Sequence, residues 1–415
     1  MTGLRAALDR RIGIEEYLVW STVIAVLMFL PLRGGIQVGY VIVLLNALVL
    51  VVFDQLAVHR NHMLAILTLA GFSVIGARLS GTPLSAPTVQ ILGISVMSVY
   101  YLSALTSFGL SVPRWMELYM RAALAMAVVG IIAWLIHRVF PSGDLRLRAI
   151  YSEPSYYVYV TLPAVGYCIN CFVNERRYGW ETLIFLLTYA LADSSLGFIG
   201  LLLIALFTYA RRLKGGQVLA GSVAVAMLVG GLYFASFNFR LRVDDLAKAV
   251  VAQDLSGSGS STFALLSNIY ITAQSFMAHP WTGIGIGGYA NAYDKYIGDV
   301  EGHGAMVTYL LSLELNRDDA NSMFLRVAAE LGIPGLLVLL GFLVVCARVR
   351  GRPYVAIRNA ILPYLIVRMA RMGHYFTVEL YFFVGLYVLN YLNYRATLDP
   401  EAAPDAALPE RPATS

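Results

Sequence analysis

The sequence predicts an all-α polytopic membrane protein with about 12 transmembrane helices. Two of these are short and form a hairpin near residues 182–210, and a large external loop separates spans nine and ten. Three observations support this class. Hydrophobic residues make up 59% of the 415 and charged residues only 13%, at a mean hydropathy of +0.69, whereas soluble domains carry about 25% charged residues. Apolar runs recur at the length, roughly 20 residues, that crosses a bilayer core. One polar block, Asn238 to Asn321, interrupts them and ends in Arg317-Asp318-Asp319-Ala320-Asn321-Ser322. Such a block left outside the membrane points to chemistry at a membrane face.

Taken in order, the spans fall near 17–32, 36–55, 63–79, 87–107, 116–139 and 156–173, then near 182–192, 196–210, 217–237, 323–346, 355–371 and 376–394. The first reads as a retained span rather than a cleaved signal. Basic residues flank the cytoplasmic ends of spans. Arg5, Arg10 and Arg11, Arg176-Arg177, Arg211-Arg212-Lys214, and Arg348, Arg350, Arg352 and Arg358 therefore belong inside, and both termini are expected in the cytoplasm. The chain divides into an N-terminal transmembrane bundle (1–237), a large periplasmic loop (238–322), C-terminal spans (323–394) and a polar tail (395–415) whose composition reads as disordered. The +5 net charge reports orientation rather than partners, and no nucleic acid is expected. Cys168 and Cys171 form a C-x-x-C inside an apolar helix pattern and Cys346 lies in a span, which reads as small buried residues rather than a metal or redox site. No internal repeat is visible, which disfavours transporters built on symmetric halves.

The run from Leu183 to Ala210 is interrupted by Asp193-Ser194-Ser195. Basic clusters at both ends require an even number of crossings, yet each half reaches only about 18 Å of a core about 30 Å thick. Two short helices meeting at Asp193 satisfy both constraints. They should line a working chamber, since broken backbone at that depth survives only against protein or a wet cavity. The alternative is a single tilted helix, which would put the large loop in the cytoplasm.

Three outward-facing positions concentrate polar residues. In the first, Arg146 and Arg148 precede Ser152-Glu153-Pro154-Ser155 at the sixth span. Arg offers a planar fork to phosphate, while Ser152, Glu153 and Pro154 also fit ordinary capping. The second is the large loop. It opens with Arg240 and Arg242, continues through a flexible Ser256–Ser261 stretch and a helix ending at His279-Pro280, and then reads Trp281-Thr282-Gly283-Ile284-Gly285-Ile286-Gly287-Gly288. Alternating glycines suit either backbone N–H approach to a ligand or tight turns. Asp318-Asp319 makes a poor metal cage, and Asp319 can instead cap the following helix; no metal or cofactor is expected. The third position is Arg368-Met369-Ala370-Arg371-Met372-Gly373-His374-Tyr375. Arg368 and Arg371 share a helix face. Without a matching carboxylate close by in sequence they call for an anion such as a diphosphate, or for pairing with Asp193 or Glu379.

Three segments carry a family resemblance: Ser152-Glu153-Pro154-Ser155; His279-Pro280-Trp281-Thr282-Gly283-Ile284-Gly285; and Asn321-Ser322-Met323-Phe324-Leu325 running into Ala329-Glu330-Leu331-Gly332-Ile333-Pro334-Gly335. In this order and topology they resemble the O-antigen ligase and O-antigen polymerase superfamily of bacterial inner-membrane glycosyltransferases. The resemblance implies a GT-C-like glycosyltransferase architecture in the bacterial inner membrane. It also implies metal-independent transfer of a glycan from undecaprenyl diphosphate to an acceptor hydroxyl at the outer face. The Asp-Ala-Asn-Ser form and the Arg368 to Tyr375 segment look most like exopolysaccharide repeat-unit polymerases. The sequence departs from the ligases in one respect: Asn321 stands where they carry a histidine, and an amide is no general base. Asp318, Asp319, Glu153 or His303 would have to serve, or leaving-group stabilisation alone would suffice.

On this reading Glu153, Asp319 and Asn321 orient the acceptor, with Arg326 near the reacting carbon. Arg146, Arg148, Arg240, Arg368, Arg371 and His374 hold diphosphate or sugar. The expected partners are the lipid-linked donor and acceptor and membrane lipid, with a chain-length regulator and export machinery as further candidates. Two rival readings remain. One is a ligase using lipid A core as acceptor; the other is a lipid-linked oligosaccharide flippase, which should show repeated halves and charges within its spans.

Overall fold

The computed structural model describes residues 11–28, 30, 37–139, 146–209, 230–231, 233–234, 237–252, 259–300 and 305–398. Every long element among them is a helix. The first eight are α1 (Arg11–Leu27), α2 (Val38–Val52), α3 (Arg60–Ser80), α4 (Ser85–Ser107), α5 (Val112–Val139), α6 (Pro154–Glu175), α7 (Gly179–Ala192) and α8 (Ser195–Tyr209). The polar block holds α9 (Phe237–Ala252), α10 (Ser260–Ala278), α11 (Tyr289–Tyr296) and α12 (Ala305–Ser312); α13 (Met323–Cys346), α14 (Tyr354–Arg371) and α15 (Val378–Leu398) complete the chain. The expected spans therefore recur as helices within a few residues. The ninth, 217–237, falls mostly outside the described residues, as does the tail beyond Leu398. The block expected as loop is largely helical where described, and α10 ends at His279 as anticipated.

Among the described residues, five helices can cross a membrane by length and composition: α3, α4, α5, α6 and α13; α2, α7 and α8 are apolar but shorter. The twelve expected spans are thus met in part. Three arginines in α14 and the Tyr/Asn-rich face of α15 keep those two helices below the apolar standard of the others. Their burial compensates, because both pack inside the bundle. The protein is a multi-pass membrane protein, and exposed Leu44, Leu67, Ile132, Leu187, Leu337 and Val344 form its lipid-facing surface.

Consecutive helices alternate in direction, which sorts the connections onto two ends. At one end Ala57 N–H donates to Ser103 Oγ at 2.9 Å, Arg177 pairs with Glu117 at 3.3 Å, and Arg352 donates to the Asn174 carbonyl at 3.0 Å. At the other, Tyr151 Oη donates to the Leu27 carbonyl at 2.6 Å, Leu147 N–H to Leu191 O at 2.9 Å and Ser322 Oγ to Met369 O at 2.9 Å. The second end carries the described segments around Tyr151, Ser322 and Met369.

α6 is the mast of the bundle. Its apolar window is 78% buried against 22–33% in the other four spans, and it packs along α14, where Asn359 Nδ2 donates to Asn170 Oδ1 at 2.9 Å. The expected short pair clasps it. Tyr157 Oη donates to Thr188 Oγ1 at 2.7 Å near the start of α6, and Asn170 Nδ2 donates to Thr208 Oγ1 at 3.0 Å near its end. Tyr178, just before α7, stacks on Tyr167. So α7 climbs α6, the chain reverses at left-handed Asp193 (φ 42°), and α8 descends. The single tilted helix is ruled out. Each arm packs on α6, with the break beside Leu147 at the polar end.

Candidate functional site

α13 is a broken helix, and the break organises one wall of the polar end. Gly332 has φ 61° and ψ −153°, and Pro334 follows it. The interruption leaves carbonyls open. Ile284 N–H donates to Ala329 O at 3.1 Å, Gly285 N–H to Glu330 O at 2.9 Å, and Ile333 N–H to Pro280 O at 2.8 Å. The 279–288 loop is thereby stitched into the gap. A Cβ on Gly283 would fall on the Glu330 carbonyl, and one on Gly332 on the Pro280 carbonyl. Gly283 N–H is held by His279 O and Ile286 N–H by Ser73 Oγ. These amides are committed to the fold, so this loop presents no run of free N–H groups to a phosphate.

Below the loop, Glu330 is fully buried. Its Oε1 accepts from Arg326 Nε at 3.1 Å and from Tyr289 N–H at 3.1 Å, at the start of α11. Arg326 also donates to the Gly373 carbonyl at 3.1 Å, and its guanidinium lies 4.4 Å from the centre of the Tyr375 ring. Arg326 is thus a buried tie between α13 and the α14–α15 connection.

The 316–322 turn enters α13 through three left-handed non-glycine residues, Asn316, Ala320 and Asn321, with a fourth, Glu314, just before it. Such a concentration marks a tightly determined segment. Asp319 Oδ1 accepts from Asn321 N–H at 3.1 Å, an Asx turn. Ser322, not Asp319, caps α13, accepting from Leu325 N–H at 3.5 Å while donating to Met369 O. This leaves Asp319 Oδ2 to face His374 Nε2 at 3.4 Å. Asn321 is 6% exposed, and its Nδ2 is buried without a hydrogen-bond partner.

The 372–377 connection completes the cluster. Arg368 is fully buried in the last turn of α14. It donates to Met372 O at 2.7 Å, His374 O at 2.7 Å and Thr377 Oγ1 at 2.8 Å, while its Nε stays unbonded. The α14–α15 connection is therefore pinned from beneath. Gly373 lies directly on the Asp319 backbone, with no room for a Cβ. The His374 side chain is 57% exposed. Crowding by surrounding protein holds its pKa below the ordinary imidazole value; Arg326 and Arg368 act in the same direction and Asp319 opposes them.

The first turn of α6 closes a third side. Glu153 is its N-cap residue and is exposed; Ser155 Oγ donates to its carboxylate at 2.9 Å, and Pro154 takes the first helical position. Tyr156 lies within electrostatic reach of Glu153, Asp319 and Glu379. Buried Tyr159 donates to Glu379 at 2.8 Å and approaches Tyr364. Tyr156, Tyr159, Glu330 and Glu379 were not assigned from sequence, although a carboxylate within a span is itself a signal.

The structure thus brings together Glu153, Asp319, Asn321, Arg326, Arg368 and His374. Arg371 sits half-buried on the same helical turn as Arg368. Arg146 and Arg148 flank Leu147 at the hairpin break, and the Arg148 guanidinium has no partner among the described residues. Arg240 lies on α9, which packs on α10, and its electrostatic neighbour is Tyr233. No group of three or more potential metal ligands occurs among the described residues.

A membrane bundle with one polar end, built from a broken helix, a strained acidic turn and a pinned His/Arg connection, defines the class. A family model described as O-antigen ligase matches residues 181–340, from the start of the hairpin through the kink of α13, in keeping with the O-antigen ligase and polymerase superfamily. Glu153 and the 368–374 segment lie outside the match. No curated protein matches the chain.

Proposed function

We propose that this protein polymerises undecaprenyl-diphosphate-linked oligosaccharide repeats at the outer face of a bacterial inner membrane. The observation that carries this reading is the meeting of Asp319, which lies within the O-antigen ligase match, with His374 above Arg368, beside the first turn of α6 at the polar end of the bundle. The end opposite carries Arg114, Arg176, Arg177, Arg348, Arg350 and Arg352, which supports a cytoplasmic assignment for it and an outer one for the cluster.

In this mechanism the acceptor hydroxyl attacks the anomeric carbon of the donor. The new C–O bond forms as the bond to the diphosphate breaks, and undecaprenyl diphosphate departs with the electron pair. The hydroxyl proton passes to the His374–Asp319 pair. Neutral His374 accepts it at Nε2, the nitrogen facing Asp319, after a small ring movement, or Asp319 Oδ2 accepts it directly. The Asn321 amide, with an unmade hydrogen bond, is suited to a sugar oxygen. Arg371 and Arg148 supply charge for the departing diphosphate, and Arg368 fixes the connection that carries His374.

Purified protein given lipid-linked repeats should yield ladders of joined repeats by mass spectrometry. Arg371→Ala should remain folded and lose the longer products; wild-type ladders from that variant would refute its role. Transfer to lipid A core instead of to a second repeat would make the enzyme a ligase.

A further inference from the structure

A second polar concavity lies at the same end, on the other side of the 279–288 loop. It encloses about 330 Å³ between the α3–α4 turn, the end of α10 and one face of α11, at the lower end of the range for ligand sites. None of the residues of the Asp319–His374 cluster lines it. Its floor is rigid: Ser80 Oγ bonds Thr82 Oγ1 at 2.9 Å and Ile284 O at 3.1 Å, fastening the α3–α4 turn to the loop.

Four polar side chains that line this space are unengaged. The His279 ring, the Asn291 amide and the Tyr296 hydroxyl make no hydrogen bond among the described residues, and the Lys295 ammonium lies 4.8 Å from the Tyr296 ring centre without an ion-pair partner there. No carboxylate among the described residues lines the cavity. The neighbouring Asp294 points elsewhere, held by Arg317 at 2.5 and 2.6 Å. A cation beside uncommitted amide, imidazole and phenol groups is complementary to an anion that also carries several hydroxyls.

We propose that this cavity is a subsite for an acidic sugar residue, a uronic acid of the glycan being handled, remote from the bond that forms. The assignment rests on the proposed glycan-transfer reading. A lipid phosphate shares the negative charge, but it offers fewer hydroxyls to Asn291, His279 and Tyr296. The 279–288 loop would then serve two neighbours, holding α13 on one side and the bound sugar on the other.

Saturation-transfer NMR on the full-length protein in detergent tests this, with glucuronate, methyl glucoside and glycerol phosphate as probes. Glucuronate should receive the strongest transfer, and Lys295→Gln should weaken its binding by about tenfold or more. Arg371→Ala should leave that binding intact. Equal transfer to methyl glucoside with no effect of Lys295→Gln, a preference for glycerol phosphate, or no transfer at all would each overturn the subsite. Glucuronate binding that depends on Lys295, in a protein that joins no repeats, would uphold the cavity and remove the polymerase reading instead.

Discussion

The 279–288 loop and the 316–322 turn both abut α13, and they use their polar groups in opposite ways. The loop is rich in glycine, and its amides at 283, 284, 285 and 286 close on protein acceptors. The turn is rich in carboxylate and amide, is strained at three residues, and leaves Asn321 Nδ2 unbonded with Asp319 facing His374. Glycine spacing here reports close packing of one backbone on another. On the proposed reading, strain together with an unsatisfied buried donor marks the place where the acceptor sugar would bind.

The comparison can be broken at the packing side first, where the largest effects are expected. Arg326→Met leaves Glu330 buried without its cation and should cost about 3–5 kcal/mol, read as a loss of thermal stability. Adding Glu330→Leu should recover part of it. Gly283→Ala drives a methyl into the Glu330 carbonyl at a left-handed position and should cost about 3 kcal/mol; its activity should fall only as far as its folded fraction falls.

At the ligand side the pattern should invert. Asp319→Asn keeps the shape of the turn and should melt like wild type, while losing about 10²-fold in kcat/KM. The pH dependence sharpens this. The folded-state pKa of His374 lies below its unfolded value near 6.5, so protonation favours the unfolded chain and stability drops as pH falls through that range. The neutral, proton-accepting ring persists to a lower pH than an ordinary histidine, so activity should fall on the acid side below 6.5. His374→Gln should abolish that limb, and a variant that retained it would remove the imidazole from the chemistry. The smallest effect belongs to Arg317→Ala, whose partner Asp294 is half exposed. A change under about 1 kcal/mol is expected.

Much of the bundle was legible from apolar run length, and the reversal at Asp193 followed from basic flanks at both ends of the run, which require an even number of crossings, together with the polar break that divides it. The helices of the polar block were largely missed, because in α9 the apolar residues are interleaved with Arg240, Arg242, Asp244, Asp245 and Lys248, and α11 is too short to set a period. The candidate site was legible in its parts: Glu153, Asp319, Asn321, Arg368 and His374 were named from local motifs. Their pairing was not. His374 meets Asp319 only because Gly373 lies on the Asp319 backbone and Arg368 pins the connection from below. Arg368 looked like a ligand-binding cation because two of its acceptors, the Met372 and His374 carbonyls, are backbone groups invisible to sequence patterns, whereas the Arg326 partner Glu330, four residues on, was open to sequence reading.

The most direct measurement compares wild-type protein and Asp319→Asn, both confirmed folded, on lipid-linked repeats, with products weighed by mass spectrometry. Joined repeats together with released undecaprenyl diphosphate from wild type, and both reduced about 10²-fold in the variant, is the expected result. Equal ladders from both proteins, or no joined repeats from the wild type, would contradict it.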